Sequence, residues 1–388
     1  MYKMTEKEKI DLLSRLISFK SVNNGELEIA AFIKQLFSAH GIESEILPIT
    51  EKRSNLVAEI GQGGPVIAIS GHMDVVSEVD ANLWDTDPFS LVEKEGNLYG
   101  RGTADMKSGL AAMVIAMIEL KENDLLKNGT IRFMATVGEE VGGYGSRWLF
   151  ENGYTDDIDA LIIGEPSGHE IIYAHKGSID IRLISKGEAA HSSIPEMGYN
   201  ALNPLLEILT QARHIFESVR EENPELGKLT YNATIFNSGD QVNSIPDIAV
   251  AEMNARTIPE YDNERVIEVL QALVDKENEK GSSVEMDVYM SEDPVVKAKD
   301  NDLTNLAQLI SKKYLGINFD KKVSPGVTDA SNLLANHKEF DFPFMMYGPG
   351  NYKIAHKINE FVAKDEYLAF SDIYVDLLSL YLNKLPNA

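Results

Sequence analysis

The sequence predicts an α/β protein with a mixed, mainly parallel sheet, helices on both faces, and a second, smaller domain inserted into it. Short apolar runs at 66–70, 131–137, 160–163 and 344–347 are each followed by glycine. Between the first two, residues 106–120 are apolar nearly all round. Continuous apolar strands alternating with helices fit a sheet covered on both faces, and a helix apolar on every side is a buried one. From 178 the texture changes to strand 179–185, helix 201–221, strands 230–236 and 248–255, helix 263–279 and strand 284–290. That order, βαββαβ, is the ferredoxin-like pattern. One domain therefore comprises 1–177 with 293–388, and the insert is 178–292.

The N-terminal segment reads as an amphipathic helix carrying Ile10, Leu13, Leu16 and Ile17. A second helix at 26–40 stops at Gly41, a residue suited to the helix C-terminus. The glycines at 61–64 precede a strand instead of joining strand to helix, so they predict a hairpin turn and not a dinucleotide loop.

Composition narrows the function. The 388 residues include 36 Lys+Arg, 61 Asp+Glu and no cysteine, for a net charge of −25. Such a charge repels phosphate backbones and anionic membranes, which argues against nucleic-acid or membrane partners. Without cysteine there is no disulfide framework, no thiolate metal site and no cysteine nucleophile. Any metal must use histidine and carboxylate. The N-terminus mixes both charge signs and lacks the apolar run of a secretory signal. The most apolar stretch, 110–118, is too short for a bilayer. A soluble, cytoplasmic protein is expected.

Polar motifs follow the apolar runs: Gly71-His72-Met73-Asp74, Gly138-Glu139-Glu140, Gly164-Glu165-Pro166, and Gly348-Pro349-Gly350 with His356 shortly beyond. In open α/β sheets ligands bind outside the carboxyl ends of the strands, so these motifs predict one shared acidic pocket. Carboxylates crowded together repel unless a cation lies between them. A fifth segment, Arg101-Gly102-Thr103-Ala104-Asp105, places Asp105 at the start of the buried helix, where its two oxygens suit a bridge between two ions. Taken singly, each motif has a plainer explanation: a helix N-cap for Asp105, a solvated acidic turn for Glu139 and Glu140. Their conjunction at successive strand ends favours a metal site.

Five ordered motifs, GHMDVV at 71–76, RGTADMKSG at 101–109, GEEVGG at 138–143, GEPS at 164–167 and the late His356, resemble those of the dizinc aminoacylase/carboxypeptidase metallopeptidases. The resemblance covers essentially the whole chain and points to the branch of succinyl-diaminopimelate desuccinylase and acetylornithine deacetylase. It implies that His72, Asp105 and Glu165 hold one divalent ion and that Asp105, Glu140 and His356 hold the other. Zinc is expected, with cobalt or manganese as alternatives. It further implies that Asp74 orients the His72 imidazole and that Glu139 is the general base. In the insert, His191 resembles a histidine that crosses a dimer interface to stabilise the oxyanion. Arg256 resembles the arginine that grips the substrate carboxylate, and Asn243 a substrate-contacting asparagine. A cis peptide between Asp105 and Met106 is implied as well. The loop 326–329 departs from the family's usual glycine-rich, serine-containing form.

The expected activity is therefore metal-dependent removal of the acyl group from a small N-acyl amino acid, with N-succinyl-LL-2,6-diaminopimelate as the preferred substrate. Acetylornithine deacetylase and di- or tripeptidase are the alternatives on the same site. The insert is expected to serve as lid and dimerisation domain of a homodimer. His40, His169, His214 and His337 are expected to be surface or helix-end residues, and His175, at the domain junction, to be structural.

Overall fold

The structure, a computed structural model, describes residues 2–384. It divides into two compact units, one comprising Met1–Tyr173, Lys297–Lys322 and Asn332–Ala388, the other Ala174–Val296 with Val323–Ser331. The second unit is longer than the 178–292 read from the sequence: Ala174 and His175 pair with Val296 and Val295, and Val323–Ser331 joins it as well. Among the described residues no helix is long and apolar enough to cross a membrane.

In the first unit one sheet runs in the order Ser44–Pro48, Ser54–Gln62, Gly129–Thr136, Val66–His72, Ala160–Pro166, Phe344–Gly348 and then the first part of Glu170–His175. The four strands beginning at Gly129, Val66, Ala160 and Phe344 are mutually parallel. Antiparallel strands flank them on either side. The parallel centre is mostly apolar, as burial on both faces requires, with the partly buried Arg132 the charged exception within Gly129–Thr136. The glycines at 61–64 do not form a hairpin turn. Gly129–Thr136 lies between the strands on either side of them, so the chain crosses over it. The antiparallel strands Ser44–Pro48 and Ser54–Gln62 escape sequence reading because charged residues interrupt them.

Register explains how the site forms. His72 lies opposite Thr136, Ser70 opposite Ile163, and Gly348 opposite Pro166. The parallel strands thus end at one edge. Pairing continues through His72 and through Glu165, so these residues sit on the last strand positions and not in loops after them. Glycine does not interrupt a ladder whose neighbours hold its backbone.

Helix Lys107–Glu122 is buried along nearly its whole length and packs against Glu6–Ser18 and Lys364–Leu382. Gly109 permits its close approach to the sheet, since a Cβ there would lie 1.9 Å from the Gly164 carbonyl oxygen. Lys107 is wholly buried, and its ammonium donates to the Leu16 and Phe19 carbonyls at 3.0 and 2.8 Å. Burial pulls its pKa down to about 7, against the opposing pull of Asp74, Glu360 and Glu26.

The second unit holds a four-stranded antiparallel sheet in the order Thr230–Ser238, Ile248–Arg256, Ser178–Lys186, Ser283–Glu292. Helices Leu202–Ser218 and Asn263–Glu279 pack against it. Alternate residues Ile179, Ile181, Leu183, Ala249, Ala251 and Met253 form the buried face, as a half-covered sheet dictates. This is the expected ferredoxin-like arrangement.

His175 is fully buried in this unit. Its Nδ1 donates to the Lys176 carbonyl at 2.8 Å, and its Nε2 lies 3.4 Å from the Thr328 hydroxyl. Burial lowers its pKa to about 4. The folded state therefore prefers the neutral ring, and stability is lost as pH falls from about 6.5 through 4. His175→Gln is expected to lose less stability than the wild type between pH 7 and pH 4, by on the order of 2 kcal/mol. Urea titrations at the two pH values measure this difference.

Candidate metal centre

The strand ends and their loops bring five side chains into one cluster in the first unit. The His72 Nε2 lies 3.0 Å from Asp105 Oδ1 and 3.5 Å from Glu165 Oε1. The other oxygen of Asp105, Oδ2, lies 3.4 Å from His356 Nε2, which in turn lies 3.1 Å from Glu140. Ligand atoms of His72, Asp105 and Glu140 all fall within 4.8 Å of one another. Asp105 therefore stands between two imidazoles with one oxygen toward each. His72 and Glu165 occupy one side, His356 and Glu140 the other.

The backbone dictates these positions. His72 and Glu165 end parallel strands. Glu139 and Glu140 occupy the single turn Glu139–Val141. Gly138, just before it, has φ +76, and a Cβ there would strike the Tyr144 ring at 2.2 Å. Only glycine fits. Asp105 is not the helix cap: Met106 takes that position, with no side-chain cap bond. The peptide between Asp105 and Met106 is cis. His356 lies at φ +64 in the loop after Gly348.

Electrostatics tests whether a cation fits. Burial alone would lower the His72 pKa, yet Glu165, Asp105 and Glu139 hold it well above the ordinary histidine value. Asp105 and Glu140 raise His356 to about 10. Burial would raise Asp105, but the two imidazoles keep its carboxyl below the usual range. Desolvation and the Asp105 charge raise Glu140. The carboxylates thus favour positive charge on both imidazoles. A divalent ion supplies it more fully, and the donor set of imidazole nitrogen and carboxylate oxygen suits zinc, cobalt or manganese. The His72 Nδ1 already donates to the Asp74 carbonyl at 2.9 Å, which leaves Nε2 as the ligand atom. The residues fit a metal.

Asp74 departs from its expected part. Its carboxylate is 3.8 Å from the His72 Nδ1, and the imidazole is oriented by its backbone carbonyl instead. The carboxylate accepts the N–H groups of Gly138 at 2.8 Å, Glu139 at 3.3 Å and Glu140 at 3.2 Å. These donors have no other place to go in a turn opened by a left-handed glycine, and a buried carboxylate needs several of them. Asp74 therefore holds the turn that carries Glu139 and Glu140.

His191, Asn243 and Arg256 belong to the second unit. His191 pairs with Ser244, and Ser192 donates to the Asn243 carbonyl at 3.0 Å, so His191 and Asn243 come together. Arg256 does not join them. Ile248 lies opposite Lys186 and Ala255 opposite Ile179, which puts Arg256 at the far end of its strand. Eight strand steps separate the two ends, roughly 26 Å. Sequence reading missed the buried residues behind the metal centre, Arg101 and Glu360 above all. Arg101 stands within a motif already singled out, and Glu360 comes four residues after His356.

This fold and donor set define a metal-dependent hydrolase. Residues 68–380 match the model of Peptidase family M20/M25/M40. A probable succinyl-diaminopimelate desuccinylase of Staphylococcus epidermidis is 40% identical over 98% of this chain and 99% of its own length. A succinyl-diaminopimelate desuccinylase of Wolbachia pipientis is 30% identical over 97% and 94% respectively. The solved structure of an M20 family metallo-carboxypeptidase from Sulfolobus solfataricus shares the fold, with a TM-score of 0.81 at 20% identity over 97% of this chain and 99% of that one. The chain belongs to Peptidase family M20/M25/M40.

The Asp74 contacts make a prediction. Asp74→Asn replaces one acceptor oxygen with a donor and loosens the 138–140 turn, while the carbonyl that orients His72 remains. Turnover is expected to fall by about 10–100-fold with metal content at the His72 side preserved, as read by steady-state kinetics and elemental analysis.

Proposed function

We propose that this chain hydrolyses the amide bond of an N-acyl amino acid, with N-succinyl-LL-2,6-diaminopimelate as substrate and succinate and LL-diaminopimelate as products. The observation that carries the hydrolytic reading is the Asp105 carboxylate set between two histidines, with Glu139 on the same turn as Glu140. The near-full-length similarity to proteins named as desuccinylases supports the choice of acyl group.

His72, Asp105 and Glu165 would hold one divalent ion, and Asp105, Glu140 and His356 a second. Zinc comes first, with cobalt or manganese as alternatives. Such ions supply polarisation of the amide carbonyl and a lowered pKa for water. Glu139 takes the proton of the attacking water and returns it to the leaving amine nitrogen. Asp74 keeps Glu139 in place through the turn's N–H groups. Arg256, half-buried and with a guanidinium suited to bidentate contacts, binds a substrate carboxylate. His191 donates to the oxyanion, with Asn243 beside it contacting substrate. The His191–Asn243 pair precedes the start of Ile248–Arg256 and Arg256 stands at that strand's far end, roughly 26 Å away along it; this separation supports a homodimer in which a second chain supplies His191. The edge strand Thr230–Ser238, mostly exposed, is the surface on which such pairing would occur.

Three measurements test this reading. Glu139→Gln is expected to abolish turnover, by at least about 10²-fold, with metal uptake unchanged; retained activity would remove the base assignment. In a ninhydrin assay of metal-loaded enzyme, N-succinyl-diaminopimelate is expected to exceed N-acetylornithine and di- and tripeptides in kcat/KM. A preference for acetylornithine or peptides would transfer the chain to that activity. Mixing inactive His191→Ala with inactive Glu139→Gln chains should restore part of the activity. A fully active monomer in sedimentation would refute the shared site.

A further inference from the structure

We propose that Arg101 and Glu360 form a buried clamp that sets Asp105 against His356, and so controls affinity for the ion those two residues share with Glu140. The inference rests on the ligand assignment above. Arg101 is 1% exposed and Glu360 0%. The Arg101 Nη1 donates to Glu360 Oε2 at 2.6 Å. The other oxygen, Oε1, accepts the consecutive backbone N–H groups of Ala104 at 2.7 Å and Asp105 at 3.0 Å. The Arg101 Nη1 also donates to the Lys357 carbonyl at 3.2 Å, and Nη2 to the Ser77 carbonyl at 3.0 Å. The guanidinium carbon lies 5.0 Å from the centre of the Trp84 ring.

The consequence is geometric. Glu360 determines where the Asp105 backbone sits, and Arg101 holds the carbonyl of the residue next to His356. One ion pair therefore sets two ligands that come from segments some 250 residues apart, although neither member of the pair ligates. The opposite side of the cluster depends on it less, through the shared Asp105 alone. His72 and Glu165 are fixed by strand pairing, and the His72 ring by the Asp74 carbonyl. His356, at a left-handed position outside any strand, has no such support.

Stability alone is a poor account of the pair. Replacing a buried ion pair with apolar groups is often neutral or better, because desolvation offsets the attraction. The Arg101 Nε is buried with no partner, which adds to that cost. What an apolar pair would lose is the carboxylate oxygen that receives two adjacent N–H groups beside the bridging aspartate.

The test is a metal titration of the folded, metal-stripped full chain, using zinc in competition with a chromophoric chelator. Circular dichroism confirms the fold of each variant. Glu360→Gln keeps the size but turns an amide donor toward Arg101; Arg101→Met removes the charge and both carbonyl contacts. The wild type is expected to take up two ions. Each variant should bind one of them within threefold of wild type and the other about 10–100-fold more weakly. Excess zinc should then restore kcat further than it restores the Glu139→Gln chain. Wild-type affinity for both ions in both variants, or equal weakening of both, would overturn the clamp. Loss of the fold in both variants would do so too, by making the pair purely structural. Uptake of a single ion by the wild type would instead remove the ligand assignment, and the clamp with it.

Discussion

Repulsion among carboxylates at the carboxyl ends of four parallel strands is the constraint around which the first unit is built. Asp105, Glu140 and Glu165 meet largely out of water, beside the half-exposed His356, and such a cluster persists only with positive charge among its members. The carboxylates favour the charged forms of His72 and His356, which is why both pKa values rise. Divalent ions would supply that charge with a catalytic return, since the same positive charge polarises a carbonyl and activates water. The rest of the unit keeps these groups from relaxing apart. Strand register fixes His72 and Glu165. The Asp74 carboxylate gathers the N–H groups of the 138–140 turn, and Glu360 does the same for Ala104 and Asp105. Two buried carboxylates that never reach the cluster's centre thus spend their acceptor capacity on the backbone of those that do.

Much of this was legible in the sequence, for a physical reason. Parallel strands covered on both faces must be apolar, so a polar residue at their ends stands out, and His72, Glu140, Glu165 and His356 each follow such a run at short range. Asp105 was legible through its place before a helix apolar on every side. The ferredoxin-like insert was readable because its strands alternate while those of the main sheet do not. The remainder depends on tertiary facts. Nothing local separates Glu360 from other acids in a chain with 61 of them; its importance lies in burial against Arg101. Asp74, two residues past His72, reads as a partner for the imidazole. In the fold its carboxylate turns to donors 64 to 66 residues away. The glycines at 61–64 read as a hairpin because sequence shows neighbours in the chain and not the strand that comes between them.

The charge of −25 has a modest connection to the chemistry. Few of the 61 acids serve the centre, and most of the others face solvent, with exceptions such as Glu26, Glu119 and Glu277 buried elsewhere. The anionic N-succinyl substrate proposed above would approach against that field, so positive charge from ions held at the centre would have to outweigh it at short range, where screening is least effective.

The central claim is that Asp105 bridges two ions, one with His72 and Glu165 and one with Glu140 and His356. Anomalous diffraction from zinc-loaded crystals, collected on both sides of the zinc edge, tests it most directly. Two anomalous peaks flanking the Asp105 carboxylate, each contacted by one of the two histidines, are the predicted result. A single peak, or peaks to which Asp105 contributes no oxygen, would contradict it.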